Sequence, residues 1–181
     1  PPPRPPLDPP AAAADVYRGP RWGRSFREAR LAPSLTVAET VAVAYERNVL
    51  NRSMVADVLH QPASFEAELV TAARVDEILD LLNLAEHRRK LTSELSTGMR
   101  RIVELACLLA ADPVVLLLDE PSAGVAQRDA EALAPLLMRI RDETGAALVV
   151  IEHDMPLLRS MCDEMVALEL GGVIASGTPH E

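Results

Sequence analysis

Positive charge is scarce in this chain: 18 lysines and arginines stand against 27 acidic residues, and Lys90 is the only lysine. The resulting net charge of −9 argues against a nucleic-acid partner, which needs a basic stripe to neutralise phosphates. No apolar run approaches the roughly 20 residues that cross a bilayer, and the first residues have neither the cationic start nor the apolar middle of a secretion signal. Cysteine is limited to Cys107 and Cys162, which are unclustered. Two such residues point to buried structural thiols in a reducing compartment and exclude a disulfide framework or a metal site. Also absent is the loop G-x-x-x-x-G-K-[ST], whose backbone amides cradle phosphates while its lysine reaches the terminal ones. The one glycine pair at that spacing, Gly172 and Gly177, runs into Thr178-Pro179 with no helix to come, and Lys90 ends a solvated basic run, His87-Arg88-Arg89-Lys90.

What the chain does have is concentrated between Glu94 and Gly124, ELSTGMRRIVELACLLAADPVVLLLDEPSAG. Ser96 is placed to cap a helix whose apolar face is Ile102, Leu105, Ala106 and Leu109, at helical spacing. The helix stops at Asp112-Pro113, because proline disfavours helical geometry in the residue before it. Val114 to Leu118 is then a continuous aliphatic run, which predicts a parallel-sheet strand covered on both faces. Asp119 and Glu120 sit where that strand leaves the sheet, the end at which open α/β sheets bind ligands. Two carboxylates there suit a magnesium nucleotide: one holds the ion, directly or through water, and the other orients or deprotonates an attacking water. Ser96 and Gly98 open the preceding helix, where unpaired N–H groups and the helix dipole favour phosphate.

Leu95-Ser96-Thr97-Gly98-Met99, followed by the strand and Asp119-Glu120-Pro121-Ser122-Ala123-Gly124, resembles in order and spacing the signature motif, Walker B and D-loop of ABC-type ATPase domains. His153, past the aliphatic strand Ala147 to Ile151, falls where that family keeps its switch histidine. Arg30 to Val37 is similar to the segment after the Q-loop in ATPase subunits of branched-chain amino acid importers, and the similarity runs from about Gly23 to the C-terminus. The resemblance implies an α/β fold: a partial P-loop NTPase core with a helical subdomain, the Walker A strand–loop–helix absent. It also implies ATP and Mg2+ as cofactors, with a second ABC ATPase subunit and a transmembrane permease as partners. The location it implies is cytoplasmic, peripheral at the inner face of the cell membrane.

By the same resemblance Glu120 is the general base or water-positioning residue, His153 the phosphate sensor and Asp119 the magnesium-side acid. Ser96, Thr97 and Gly98 contact the ATP bound by the opposing subunit; Thr97 and Met99 depart from the usual glycine and glutamine, which leaves Ser96 and Gly98 to carry that contact. Arg27 stands at the Q-loop glutamine position, where a cation has no lone pair to offer magnesium and is suited instead to phosphate. Ala126 replaces the usual aspartate or asparagine of the D-loop. Two functional readings follow. One is the ATPase component of an importer, present as a truncated chain that alone neither binds ATP at micromolar concentration nor hydrolyses it. The other is a non-catalytic module that docks on a transporter subunit or completes a composite ATP site. Chromosome-maintenance and mismatch-repair ATPases share such motifs but are disfavoured by the lack of heptads and of a basic face.

In chain order, residues 1–22 read as a proline-rich, extended or disordered lead, 23–94 as the Q-loop region and helical subdomain, and 95–181 as the partial core. Thr36 caps a helix to Arg47 with Glu39 at its third position; after a break at Gln61-Pro62, helices run from Ser64 to Leu69 and from Arg74 to Leu84. Asp129 to Thr144 is a helix ended by Gly145, with Pro135 kinking it or delaying its start. Ala147 to Ile151 is a second buried strand, Met155 to Met161 a helix, and Met165 to Ser176 a hairpin turning at Gly171-Gly172. A missing central strand leaves aliphatic edges uncovered and predicts poor solubility in isolation.

Overall fold

The protein is represented by a computed structural model that describes residues 22–25, 31–53, 64–125 and 132–179. The proline-rich lead up to residue 21, Arg27, the Gln61-Pro62 break and Ala126 lie outside the described residues. In order the elements are β1 (Trp22–Arg24), α1 (Val37–Ser53), α2 (Ser64–Leu81), short 3-10 turns at Ala85–His87 and Thr92–Glu94, and α3 (Thr97–Leu109). β2 (Val115–Asp119), α4 (Leu133–Thr144), β3 (Ala147–Ile151), α5 (Met155–Met161), β4 (Met165–Glu169) and β5 (Gly172–Gly177) follow. β1, β2 and β3 form a parallel sheet in that order, and β4 with β5 an antiparallel pair.

Local chemistry sets most of these boundaries. Thr36 and Glu39 form a reciprocal capping box at the start of α1: the Glu39 carboxylate accepts from the Thr36 N–H at 2.8 Å, and the Thr36 hydroxyl accepts from the Glu39 N–H at 3.2 Å. α1 runs on past Arg47 to Ser53, since no glycine or proline interrupts residues 48–53. The two helices expected over 64–69 and 74–84 are one helix, α2, because Val70-Thr71-Ala72-Ala73 offers no break. It ends at Leu81 rather than Leu84, where Asn83 takes a left-handed φ of 55° that asparagine tolerates. α4 starts at Leu133 with Pro135 in its first turn, where a missing N–H removes no intrahelical bond. It stops at Gly145, whose φ of 68° lets its N–H return to the Arg141 carbonyl at 2.8 Å.

The core gathers Val37 and Val41 of α1, Val75, Ile78, Leu79 and Leu82 of α2, Val103, Leu105 and Leu109 of α3, and Leu137 and Ile140 of α4 around Leu116 and Leu118. Leu116 pairs with Leu148 and Leu118 with Val150, so these four share the face that packs on the core. The other face carries Val115, Leu117, Ala147, Val149 and Ile151. Here the expectation of strands covered on both faces is corrected. Val115 and Leu117 are only half-buried, Val149 is 51% exposed and Ile151 is 62% exposed, because the described helices pack on one side of β3. Leu170 and Gly171 both have positive φ, 47° and 80°, the geometry of the tight turn joining β4 to β5. Among the described residues no helix is long and apolar enough to cross a membrane.

Candidate functional site

β2 and β3 run parallel and in register, so their carboxyl ends stop together, with Asp119 opposite Ile151. The next residue, Glu120, donates its N–H to the Ile151 carbonyl at 2.8 Å and takes a left-handed φ of 48°. That conformation costs an L-residue about 1–2 kcal/mol and turns the chain sharply at the end of the strand. Glu120 and Ser122 then accept from the N–H groups of Ala123 and Val125 in successive turns.

The residue that ties this turn to His153 is Glu152. Its side chain is wholly buried; one carboxylate oxygen accepts from the Ser122 N–H at 2.7 Å and the other from the His153 N–H at 3.3 Å. The His153 ring lies outside this packing, 81% exposed, with Nδ1 3.8 Å from the Glu152 carboxylate. Asp154 turns the chain away by capping α5, its carboxylate accepting from the Leu157 N–H at 3.0 Å. Asp119, Glu120 and His153 therefore stand at one sheet end, their spacing held by a buried carboxylate between them.

A second part of the site lies at the start of α3. Ser96 is the N-cap, its hydroxyl accepting from the Met99 N–H at 3.2 Å; Ser96 and Thr97 are exposed and Gly98 is buried. This end of α3 touches the acid turn: a Cβ built on Gly124 would lie 3.8 Å from Thr97 Cγ2. Behind the acids, Ser25 accepts from the Asp119 N–H at 3.2 Å and donates its own N–H to the Leu117 carbonyl at 2.9 Å. Ser25 also lines a small crevice with Arg101, Glu104, Leu105, Pro121 and Leu133, in which Arg101 and Glu104 form a buried ion pair at 3.0 Å.

Among the described residues no three His, Cys, Asp or Glu side chains gather as a metal cage. Asp119, half-buried at a strand end, nevertheless fits magnesium, which is held through one or two carboxylates and completes its shell with water and substrate phosphates. Burial, reinforced by Glu104, pushes the Cys107 thiol up from 9.0 to about 12, and burial raises Cys162 as well. Neither is a reactive thiolate at neutral pH.

Reasoning from the residues had not singled out Glu152, Ser25, Arg101 or Glu104. For Arg101 a signal existed, since it lies at helical spacing between Gly98 and Leu105, on the arc that the core covers.

Parallel strands ending in adjacent acids and an exposed imidazole, with a capped helix start alongside, make this a partial P-loop NTPase core. More narrowly, the chain belongs to the ABC transporter family, which it matches over residues 14–123. It is 32% identical over 158 residues to the high-affinity branched-chain amino acid transport ATP-binding protein BraF of Pseudomonas aeruginosa, covering 87% of this chain and 62% of that one. Its identity to the corresponding protein LivG of Escherichia coli is 30% over the same shares. To the methionine import ATP-binding protein MetN of Streptomyces coelicolor it is 30% over 91% of this chain and 45% of the relative. Among solved structures it is similar to CbiO1 of Clostridium perfringens, part of an ABC transporter complex, with a TM-score of 0.71, 26% identity, and 88% and 57% of the two chains covered. The chain thus spans about 62% of the length of the branched-chain amino acid transport proteins it matches.

Proposed function

We propose that this chain serves as ATP-binding component of an ABC importer for amino acids, the branched-chain ones first. In this role Asp119 holds the magnesium ion of bound ATP, Glu120 orients or deprotonates the attacking water, and His153 donates to the terminal phosphate. Ser96, Thr97 and Gly98 cap the nucleotide held by an opposing ATPase subunit, and Arg27 meets phosphate from the Q-loop position. A transmembrane permease is the second partner, which places the protein on the cytoplasmic face of the membrane. The barrier to phosphoryl transfer falls mainly through positioning and electrostatics. Here the positioning lies in Glu152, which fixes the turn after Glu120 relative to His153.

The observation that carries this reading is the meeting of Asp119, Glu120 and His153 at one sheet end in a chain whose relatives bear ATP-binding names. Because the chain has no phosphate-cradling loop in its 181 residues, it is proposed to act on ATP only jointly with an intact ATPase subunit. Pull-down against such a subunit tests this: ATP with Mg2+ should promote association and Ser96→Arg should abolish it. Association indifferent to ATP would favour a second reading, a regulatory module that docks by its helices. Exposed Val43 on α1 and Leu69 and Val70 on α2 give that reading its support.

A further inference from the structure

β3 is an edge strand of a parallel sheet, and the arrangement of its backbone shows what its outer edge offers. The Ala147 N–H donates to the Val114 carbonyl and the Ile151 carbonyl accepts from Glu120, so Ala147, Val149 and Ile151 direct their backbone groups at β2. Leu148 and Val150 therefore aim their N–H and C=O groups at the outer edge, where no described strand pairs with them. Next to that edge lies the open face with Val149 and Ile151 half or more exposed, and the β4–β5 hairpin exposes Val166, Leu168 and Ile174 as well. Parallel strands are joined by helical crossovers, so parallel sheets are normally covered on both faces. An unpaired aliphatic edge beside an uncovered face is a template for another segment.

Two observations identify the occupant. The first is length: the branched-chain amino acid transport relatives contain over a third more chain than this one spans, so a domain of this kind includes segments that these residues do not supply. The second is direction. A second copy related by a twofold axis would set β3 against β3 antiparallel and leave Val149 and Ile151 uncovered. A strand running parallel to β3 and followed by a helix satisfies the edge with the strand and the face with the helix. Its strand-to-helix loop then passes over the end where Glu120 and His153 stand.

We propose that the outer edge of β3 and the face bearing Val149 and Ile151 accept, in trans, a strand–loop–helix segment of another polypeptide whose strand adds parallel to β3. The loop chemistry of that segment rests on the nucleotide reading above; the docking does not. The test is titration of the 181-residue chain, without nucleotide or magnesium, with a peptide of about 30 residues carrying an aliphatic strand, a G-x-x-x-x-G-K-[ST] loop and an amphipathic helix. Saturable 1:1 binding is expected, with hydrogen exchange at Leu148 and Val150 slowed at least tenfold. Val149→Lys and Ile151→Lys, both on the exposed face, should each weaken binding at least tenfold while leaving the circular dichroism of the free chain unchanged. Absence of binding, binding indifferent to both lysine variants, or a homodimer in sedimentation that Val149→Lys dissolves would each overturn the proposal. Docking of the peptide without any gain in ATP binding would uphold it and refute the nucleotide reading.

Discussion

Glu104→Ala should be among the most damaging single substitutions in the chain. The Glu104 and Arg101 side chains are only 11% and 6% exposed and their charged atoms are 3.0 Å apart, so removing one leaves the other charge buried with too few partners. Breaking such a pair costs about 3–5 kcal/mol, against a total stability on the order of 5–15 kcal/mol for a domain. With a urea dependence of about 2 kcal/mol per molar, the midpoint should fall by about 2 M. Replacing both residues together, Arg101→Met with Glu104→Leu, removes the charges and keeps the volume, and should cost far less than the two single changes added. The exposed pair Arg141–Asp142 is the control: breaking it should shift stability by less than about 0.5 kcal/mol. Urea unfolding followed by circular dichroism measures all of these. Single substitutions costing below about 1 kcal/mol, or a double variant equal to the sum of its parts, would refute the claim that this pair is a buried, mutually dependent unit.

Thr36→Ala should cost about 1 kcal/mol by opening the capping box of α1, measured by the same unfolding curves. Backbone and then side-chain hydrogen bonds from Thr36 hold the Glu39 carboxyl below its usual 4.5. The stabilisation from Glu39 is thus present above the unfolded value and lost as pH falls through the lowered folded one, so the penalty of Thr36→Ala should shrink in acid. Cys107 shifts the other way: its folded value near 12 against 9.0 keeps the folded chain protonated while the unfolded chain ionises. Stability should be intact below pH 9 and fall by about 4 kcal/mol towards pH 12, a slope that Cys107→Ala removes. A disulfide reagent at pH 8 should modify Cys162 well before Cys107, as read by peptide mass spectrometry. Leu170→Asn should stabilise the β4–β5 turn by about 1 kcal/mol, because Leu170 is fully exposed at a left-handed φ that asparagine accepts at lower cost. Amide exchange in the hairpin should slow about fivefold.

Features decided within a turn or two of chain were legible from the residues: the Ser96 cap, the Thr36–Glu39 box, the stop at Gly145 and the acid pair closing an aliphatic run. Each depends on neighbours three or four positions away, which a sequence displays directly. Features decided across the fold were not. An aliphatic strand looks the same whether one face or two will be covered, and so β3 could not be told from a fully buried strand. The support that Ser25 gives to Asp119 spans 94 residues, and nothing in either neighbourhood announces it.

Glu152 shows why such contacts matter to the proposed chemistry. Adjacent to His153 it reads as one more polar residue of a strand end, yet in the fold its two carboxylate oxygens bind Ser122 and His153 at once. The turn that follows Glu120 and the base of the imidazole are therefore fastened to one rigid, buried group, while the ring itself swings in solvent. A site arranged this way holds the position of its water-directing acid fixed and leaves the phosphate-sensing ring mobile. The histidine side chain, rather than the acid turn, is then the part that must settle when a terminal phosphate arrives.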